Sequence, residues 1–413
     1  MNPRDLIPHL FRTEYRKIVS VLCKHFGFDH MEFDHMEIAE DIASDTFLTA
    51  AQTWPLNGIP ENPVAWLYHV AKNKSKNLVQ RNKIFQNKIS PELKKNNHSE
   101  PIEEIDLSVQ NIHDSQLQMM FALSHPSIAP EAQIGLSLRI LCGFGIEEIA
   151  DAFLSNKETI NKRLFRAKEK LRTERIKIEM PSPAVFEERL ESVLRTIYLL
   201  FNEGYYSESN DIKIRKELSA EAIRLCTMLT ENERTNKPQV NALLALMCFH
   251  ASRFDARTDS NGELILYKDQ DVSRWNEDLI SKGGYFLNIS AKGNKLSRYH
   301  LEAAIAYWHT QKADTKEKWE NILQLYNKLL QVEYSPVAAL NRTYALSKAN
   351  GKREAIAAAE KLKLTSNRFY FLLLGELYTG SDNIKAKENF FKGLSLTKSS
   401  TERNAIQKKI DNL

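Results

Sequence analysis

The chain has 413 residues, 42% hydrophobic and 27% charged, which is enough apolar content to bury real cores and enough length for two or three domains. Its formal net charge of +4 excludes a global field for nucleic acid, so any such affinity must come from local basic patches. The four cysteines, Cys23, Cys142, Cys226 and Cys248, are isolated, with no CxxC and no histidine at ligand spacing; they predict buried small residues in a reducing compartment, not a zinc site or disulfide frame.

No apolar run approaches the ~20 residues of a membrane span and no signal-peptide core opens the chain, so a cytoplasmic protein is expected. Hydrophobic residues recur near a 3.6 period almost throughout, which predicts an all-α fold. Only "GELILYKD" (262–269) has a strand-like alternation.

The first helical segment runs to about residue 89 and contains a tandem repeat, "FDHMEFDHME" (28–37). His30 and His35 lie among scattered acids there, a pattern that predicts a duplicated loop or helix extension rather than a metal site. Next, "EIAEDIASDTFLTAAQTW" spaces Glu37, Asp41 and Asp45 four residues apart with Glu40 beside them. This reads as one exposed acidic ridge, suited to a basic protein partner or simply a solvated helix face.

After the Pro/Gly-marked loop "TWPLNGIPENP", Asn62 can cap a helix and Pro63 suits its first position. Leu67, Val70, Ala71 and Leu78 form its apolar stripe, interrupted by Lys74. Trp66, Tyr68 and His69 precede a basic tract of Lys72, Lys74, Lys76, Arg81 and Lys83 interleaved with Asn73 and Asn77. Aromatics beside cations and amides suit splayed single-stranded bases, although an aromatic on a helix also serves as core. The polar, Pro-containing "SPELKKNNHSEPIEEIDLS" that follows reads as a flexible tether.

In "GIEEIADAFLSNKETINKRLFRAKEKLR" (145–172), Ile146, Ile149, Ala150 and Phe153 share one helix face, and Ser155 stands three residues before Glu158 in a capping-box pattern. Ile160, Leu164, Ala167 and Leu171 then form a buried stripe, with Lys157, Asn161, Lys162, Arg166, Lys168 and Arg172 around it and Phe165 pointing elsewhere. The pair reads as a helix-turn-helix whose cationic second helix fits a major groove, or as an ordinary helical hairpin with a solvated face.

An acidic-ridge helix, an aromatic-basic helix, a tether and a helix-turn-helix, in this order, make the first two-fifths of the chain resemble the extracytoplasmic-function group of RNA polymerase sigma factors. "AEDIASDTFLTAAQTW" is similar to the part that docks on core polymerase, which implies polymerase contacts for Glu40, Asp41 and Asp45. "NPVAWLYHVAKNKSKNLVQR" is similar to the part that melts and reads the minus-ten element, implying Trp66, Tyr68, Lys72, Asn73, Lys74, Lys76, Asn77 and Arg81. "GFGIEEIADAFLSNKETINKRLFRAKEKLR" is similar to the part that reads the minus-thirty-five element, implying Ser155, Lys157, Glu158, Asn161, Lys162, Arg163, Arg166 and Lys168. The sequence departs from the family at Asn77, where an aspartate is usual, and at Lys74, where the residue is usually apolar.

Some 230 residues follow where such factors usually end, near Lys177. "IYLLFNEGYY", "NALLALMCFHASRFDAR" and "LEAAIAYWHT" resemble the subgroup with a large C-terminal helical extension, which implies regulation by the fused domain and a small YCII-like protein as a partner. Within it, "VAALNRTYALSKANGKREAIAAAEKLKL" and "FYFLLLGELYTGSDNIKAKENFFKGLSL" echo one another at close to the ~34-residue tetratricopeptide period. The small residues Ala345, Ala355, Ala358 and Gly375 suit close helix stacking. "FNEGYY" and "DQDVSRW" are polar-aromatic islands: Asn202, Glu203, Tyr205, Asp269, Asp271, Arg274 and Trp275 line a regulatory pocket or pack at an interface.

The expected organisation is therefore a region 2-like domain over 1–89, a linker over 90–110, a region 4-like helix-turn-helix over 111–178 and a tetratricopeptide-like extension over 184–413. No nucleophile–base pair, Gly-rich phosphate loop or metal set is recognisable, so neither catalysis nor a cofactor is expected. The leading reading is an alternative sigma factor acting with core polymerase on promoter DNA. A helix-turn-helix repressor or activator with a ligand-sensing domain is the alternative, and a helical-repeat scaffold a third.

Overall fold

The computed structural model describes residues 3–26, 35–89, 105–206, 212–257, 265, 267–397 and 400–413. The protein is all-helical, with no strand among the described residues. Half of "GELILYKD" lies outside them, and its end, Tyr267–Asp269, is a 3-10 turn. The tether at 90–104 and most of the tandem repeat, His30 included, also lie outside; of the repeat's histidines, His35 opens a helix whose first side chain is not described. No helix is long and apolar enough to cross a membrane.

The chain divides into two compact units, Met1–Thr235 and Asn236–Leu413. The first contains α1 (Pro3–Phe26), α2 (His35–Asn57), α3 (Pro63–Ile89), α4 (Val109–Leu123), α5 (Pro130–Leu136), a π-helical turn (Ser137–Leu141), α6 (Ile146–Ala152), α7 (Lys157–Thr173), α8 (Phe186–Tyr206) and α9 (Ile212–Thr230). Helix α1 is its hub: Tyr15, Ile18, Val19 and Leu22 are fully or almost fully buried, and α1 packs on α2, α3, α4 and the π-turn. Helices α8 and α9, which the sequence assigns to the extension, pair with each other and pack on α4, α5 and α6. These contacts place α8 and α9 in the first compact unit, which ends at Thr235.

Local starts follow capping chemistry. Asn62 accepts from Ala65 N at 3.0 Å with Pro63 as the first residue of α3, as its sequence predicts. Ser108 caps α4 by accepting from Asn111 N at 3.3 Å.

The second unit contains α10 (Pro238–Ala251), 3-10 turns at Phe254–Ala256, Tyr267–Asp269 and Val272–Arg274, then α11 (Glu277–Ser290), α12 (Arg298–Thr310), α13 (Lys316–Val332), α14 (Pro336–Ala349), α15 (Lys352–Leu362), α16 (Arg368–Tyr378), α17 (Asn383–Leu396) and α18 (Ser400–Asp411). From α10 onward each helix packs on the next, which is the contact pattern of a stacked array. Ala345, Ala355, Ala359 and Ala386 are fully buried, and Ala358 lies against the same core. A Cβ on Gly375 would stand 2.7 Å from the Phe390 ring, so α16 and α17 approach too closely there for any side chain. All four cysteines are free and buried; burial pushes the Cys248 thiol up to about 12.

Candidate nucleic-acid interface and the buried acid of the second helix

Helix α2 carries two acidic surfaces of opposite character. Its apolar side buries Met36, Ala39, Ala43, Phe47, Ala50 and Trp54. Glu37, Asp41 and Asp45 are exposed at i, i+4 and i+8 and form the ridge that the spacing predicts. Glu40 does not belong to it. The 3.6 period turns this residue towards the core, where it is 8% exposed and accepts from Arg139 Nε at 2.7 Å and Lys168 Nζ at 2.6 Å. Its expected role as an exposed polymerase contact is thus corrected.

Helix α3 is a mixed surface. Leu67 and Ala71 are fully buried; Lys76, Asn77 and Arg81 are exposed, and Asn73 is exposed with its amide 2.8 Å from His69 Nε2. Lys72 is half-buried. Lys74 is half-buried too and reaches 3.8 Å from Asp45, which accounts for a cation in an otherwise apolar stripe. Trp66 is half-buried and edge-on to the buried Trp54, with centroids 5.4 Å apart. Tyr68 is half-buried and held at its hydroxyl, which donates to Glu14 at 2.6 Å; burial together with that bond pushes its pKa up. The side chain of Lys83 lies outside the described residues.

The segments expected to form a helix-turn-helix are α6 and α7. Ile149 and Ala150 are buried on α6 with Ile146 and Phe153 half-buried, and Ile160, Leu164, Ala167 and Leu171 are buried on α7, as the period predicts. Asn156, not Ser155, caps α7, its side chain accepting from Thr159 N at 2.8 Å. Ser155 is the last residue of the turn, and its amide donates to Ala150 O at 2.9 Å because Leu154 adopts a left-handed conformation (φ 47°). Glu158, Asn161, Lys162 and Arg166 are exposed along one face of α7, with Phe165 among them at 56% exposure. Neither Lys162 nor Arg166 is in an ion pair among the described residues. Lys157 pairs with Glu147 at 2.8 Å, and Arg163 lies over the Phe153 ring at 5.7 Å. Lys168 is turned inward to Glu40, so this cation faces the second helix and not a groove.

Around Glu40 the first unit is tied by charge. Arg139 sits in the π-turn, where Cys142 N donates to Ser137 O at 3.1 Å across five residues, a local widening that re-aims its side chain. The guanidinium also donates to Phe144 O at 3.2 Å and Tyr15 OH at 3.4 Å. Burial opposes its charge, and Glu40 with Tyr15 outweighs that, raising its pKa. Along α1, Arg12 bridges Glu148 of α6 (2.5 Å) and Glu217 of α9 (2.6 Å), while Arg16 meets Glu221 of α9 at 2.7 Å. Glu221 also accepts from Arg224 at 2.7 Å. None of these links across α1, α6, α7 and α9 has a signal in the linear pattern, since each partner is an ordinary surface ion in its own helix.

The two polar-aromatic islands fall in different units. Tyr205 is buried and stacked on Phe201 (5.6 Å), Asn202 is half-buried, and burial raises the Glu203 pKa. In the other island Asp269, Asp271 and Arg274 are exposed, and Asp271 caps a 3-10 turn by accepting from Ser273 N at 2.9 Å. These three face water, and of this island only Trp275 is buried. No group of metal-ligating side chains is found among the described residues.

Residues 10–84, which span most of α1 through α3, match the sigma-70 region 2 family, and residues 189–291 match a family of unknown function, DUF6596. The first match makes the N-terminal helices a sigma-type domain and supports a sigma factor role in transcription initiation. Over 384 residues the chain is 31% identical to the uncharacterized protein R00370 of Rhizobium meliloti (strain 1021), covering 91% of this chain and 90% of that one. The protein belongs to the same family as R00370. No solved structure matches the chain.

Proposed function

We propose that the protein is an alternative sigma factor of the extracytoplasmic-function type, working in the cytoplasm with core RNA polymerase on promoter DNA. The observation that carries this reading is the region 2 match over 10–84 on helices that present an acidic ridge and, next to it, an amide-and-cation surface. Asp41 and Asp45 serve the polymerase. Trp66, Lys72, Asn73, Lys76, Asn77 and Arg81 serve the minus-ten element, where ring and charge hold unpaired bases. Glu158, Asn161, Lys162 and Arg166 serve the minus-thirty-five element from the N-terminal turns of α7, with Lys162 and Arg166 neutralising phosphates and Glu158 and Asn161 reaching base edges.

Regulation by the fused helices belongs to the same reading. The pairs Arg12–Glu217 and Arg16–Glu221 give α9 a hold on the helix that organises the sigma-type domain, and the Glu40 pairs hold α2 against α7. Such pairs keep the two DNA-reading parts together until polymerase or promoter separates them.

Run-off transcription with purified core polymerase tests the assignment. Promoter-specific initiation that depends on this protein is expected, and charge reversal at Asp41 and Asp45 is expected to abolish polymerase pull-down. A chain that binds promoter DNA yet never supports initiation by core enzyme is a repressor and sinks the reading. Glu217→Gln with Glu221→Gln is expected to raise initiation; an unchanged rate removes α9 from the regulation.

A further inference from the structure

Among the described residues, the second unit holds two buried cations with no carboxylate in ion-pair contact. Arg253, at the end of α10, is 8% exposed, and Lys318, in the first turn of α13, is 2% exposed. Both stand against one aromatic ring: the Arg253 guanidinium lies 5.4 Å from the Tyr267 centroid and Lys318 Nζ also 5.4 Å from it. Lys318 donates only to neutral acceptors, Tyr267 OH at 3.1 Å and Gln311 O at 2.8 Å. Among the described residues the Arg253 side chain has one long hydrogen bond, 3.5 Å to His250 Nδ1, and its Nε is inaccessible and without a partner. Asp314 acts on Lys318 through space, but its oxygens are bonded to Lys348 at 2.8 Å and to the Trp319 indole.

Among the described residues, the walls around the same ring add further donors. Trp275 is 6% exposed and stacked on Tyr267 at 6.3 Å, with an unpartnered Nε1. His309 is edge-on to Tyr267 at 5.1 Å, with an inaccessible, unpartnered Nδ1. Tyr267 OH donates to His309 O at 2.8 Å, so the phenol is fixed in place. A buried charge without a counter-charge costs several kcal/mol, and a buried donor without an acceptor costs about 1–3 more. A fold that keeps both around one ring is organised for a negatively charged occupant rich in acceptor oxygens.

We propose that Arg253, Tyr267, Trp275, His309 and Lys318 form a binding site for a small oxyanion, the phosphoryl or carboxylate end of a metabolite. The two cations supply its counter-charge, and the indole and imidazole nitrogens supply directional donors. The positive field is felt by the neighbours: burial first, then Arg253 and Lys318, hold His309 down at about 3, so its ring is neutral at physiological pH and its Nδ1 can be protonated as a donor tautomer. The site stands apart from the promoter reading and from Asp269, Asp271 and Arg274, which face solvent.

Calorimetry and thermal unfolding of the full chain, with inorganic phosphate in one arm and succinate in the other, test the site. Saturable one-to-one binding by at least one probe, roughly millimolar or tighter, is expected together with a higher unfolding temperature. The arm that responds identifies the phosphoryl or the carboxylate source. Arg253→Met and Lys318→Met are each expected to weaken binding about 10- to 100-fold. In anion-free buffer each is expected to unfold at a higher temperature than the parent, because an uncompensated buried charge has gone. Lys316→Met, at the exposed neighbouring lysine, is expected to leave binding unchanged. Three results overturn the proposal: no saturable binding of either probe, equal weakening by Lys316→Met, or a lower anion-free unfolding temperature for both buried-cation variants.

Discussion

The two units are held together by different means. In the first, α1 is tied to α6 and α9 by Arg12 and Arg16, and α2 to α7 by Glu40, so the closing contacts join residues as far as 205 positions apart. In the second, each helix leans on its neighbour in sequence through small and apolar residues, Ala355 and Gly375 among them. Long-range closure makes the first unit a cooperative whole in which one buried ion matters everywhere. Nearest-neighbour stacking makes the second a chain of local interfaces.

The contrast is broken most sharply at Glu40. Glu40→Gln leaves Arg139 and Lys168 without their counter-charge and is expected to cost about 3–5 kcal/mol in denaturant unfolding, whereas Asp41→Asn on the exposed ridge stays within about 0.5 kcal/mol. Hydrogen exchange should quicken together in α1, α2 and α7. A loss confined to α2 would make the first unit as local as the second.

Gly375→Ala is the matching experiment in the array. The new methyl meets Phe390, and a loss of about 1–3 kcal/mol is expected, with faster exchange in α16 and α17 and little change in α10 and α11. Uniformly faster exchange would show that the array unfolds as one body.

Acid separates the units next. His309 is neutral in the folded chain, with a pKa of about 3, and takes up a proton on unfolding near its ordinary 6.5. Stability therefore falls as pH drops below the unfolded value, by up to about 1.4 kcal/mol per pH unit, and His309→Gln is expected to flatten that slope. His250, held low by burial and then by Arg253, works in the same direction. Thermal scans of parent and variant between about pH 6.5 and 5 read the difference.

The smallest effect lies in the helix-turn-helix. Leu154 holds a left-handed backbone in the turn before α7, and Leu154→Gly is expected to stabilise the first unit by roughly 1 kcal/mol in the same denaturant assay. A loss instead would mean that the exposed leucine packs on something in solution.

Much of the candidate site was legible in one dimension. The 3.6 period placed Ile160, Leu164, Ala167 and Leu171 inside and left Asn161, Lys162 and Arg166 outside, and Asn62 with Pro63 marked the start of α3. These are choices a helix makes with its own residues. The surroundings of Glu40, Lys168 and Tyr68 are not legible in this way, because what fixes each is a partner on another helix: Arg139, Glu40 and Glu14.

By itself, the order of residues determined which segments are helical, where several of them begin and which faces are greasy, because those depend on periodicity and caps within a few turns. Only the tertiary structure decided that α8 and α9 belong with the N-terminal helices, that one acid of α2 is sequestered while its neighbours stay in water, and that Arg253 and Lys318 share one ring. The reason is electrostatic: what a charge costs or contributes is set by its surroundings in space, and the surroundings here are assembled from helices that lie far apart along the chain.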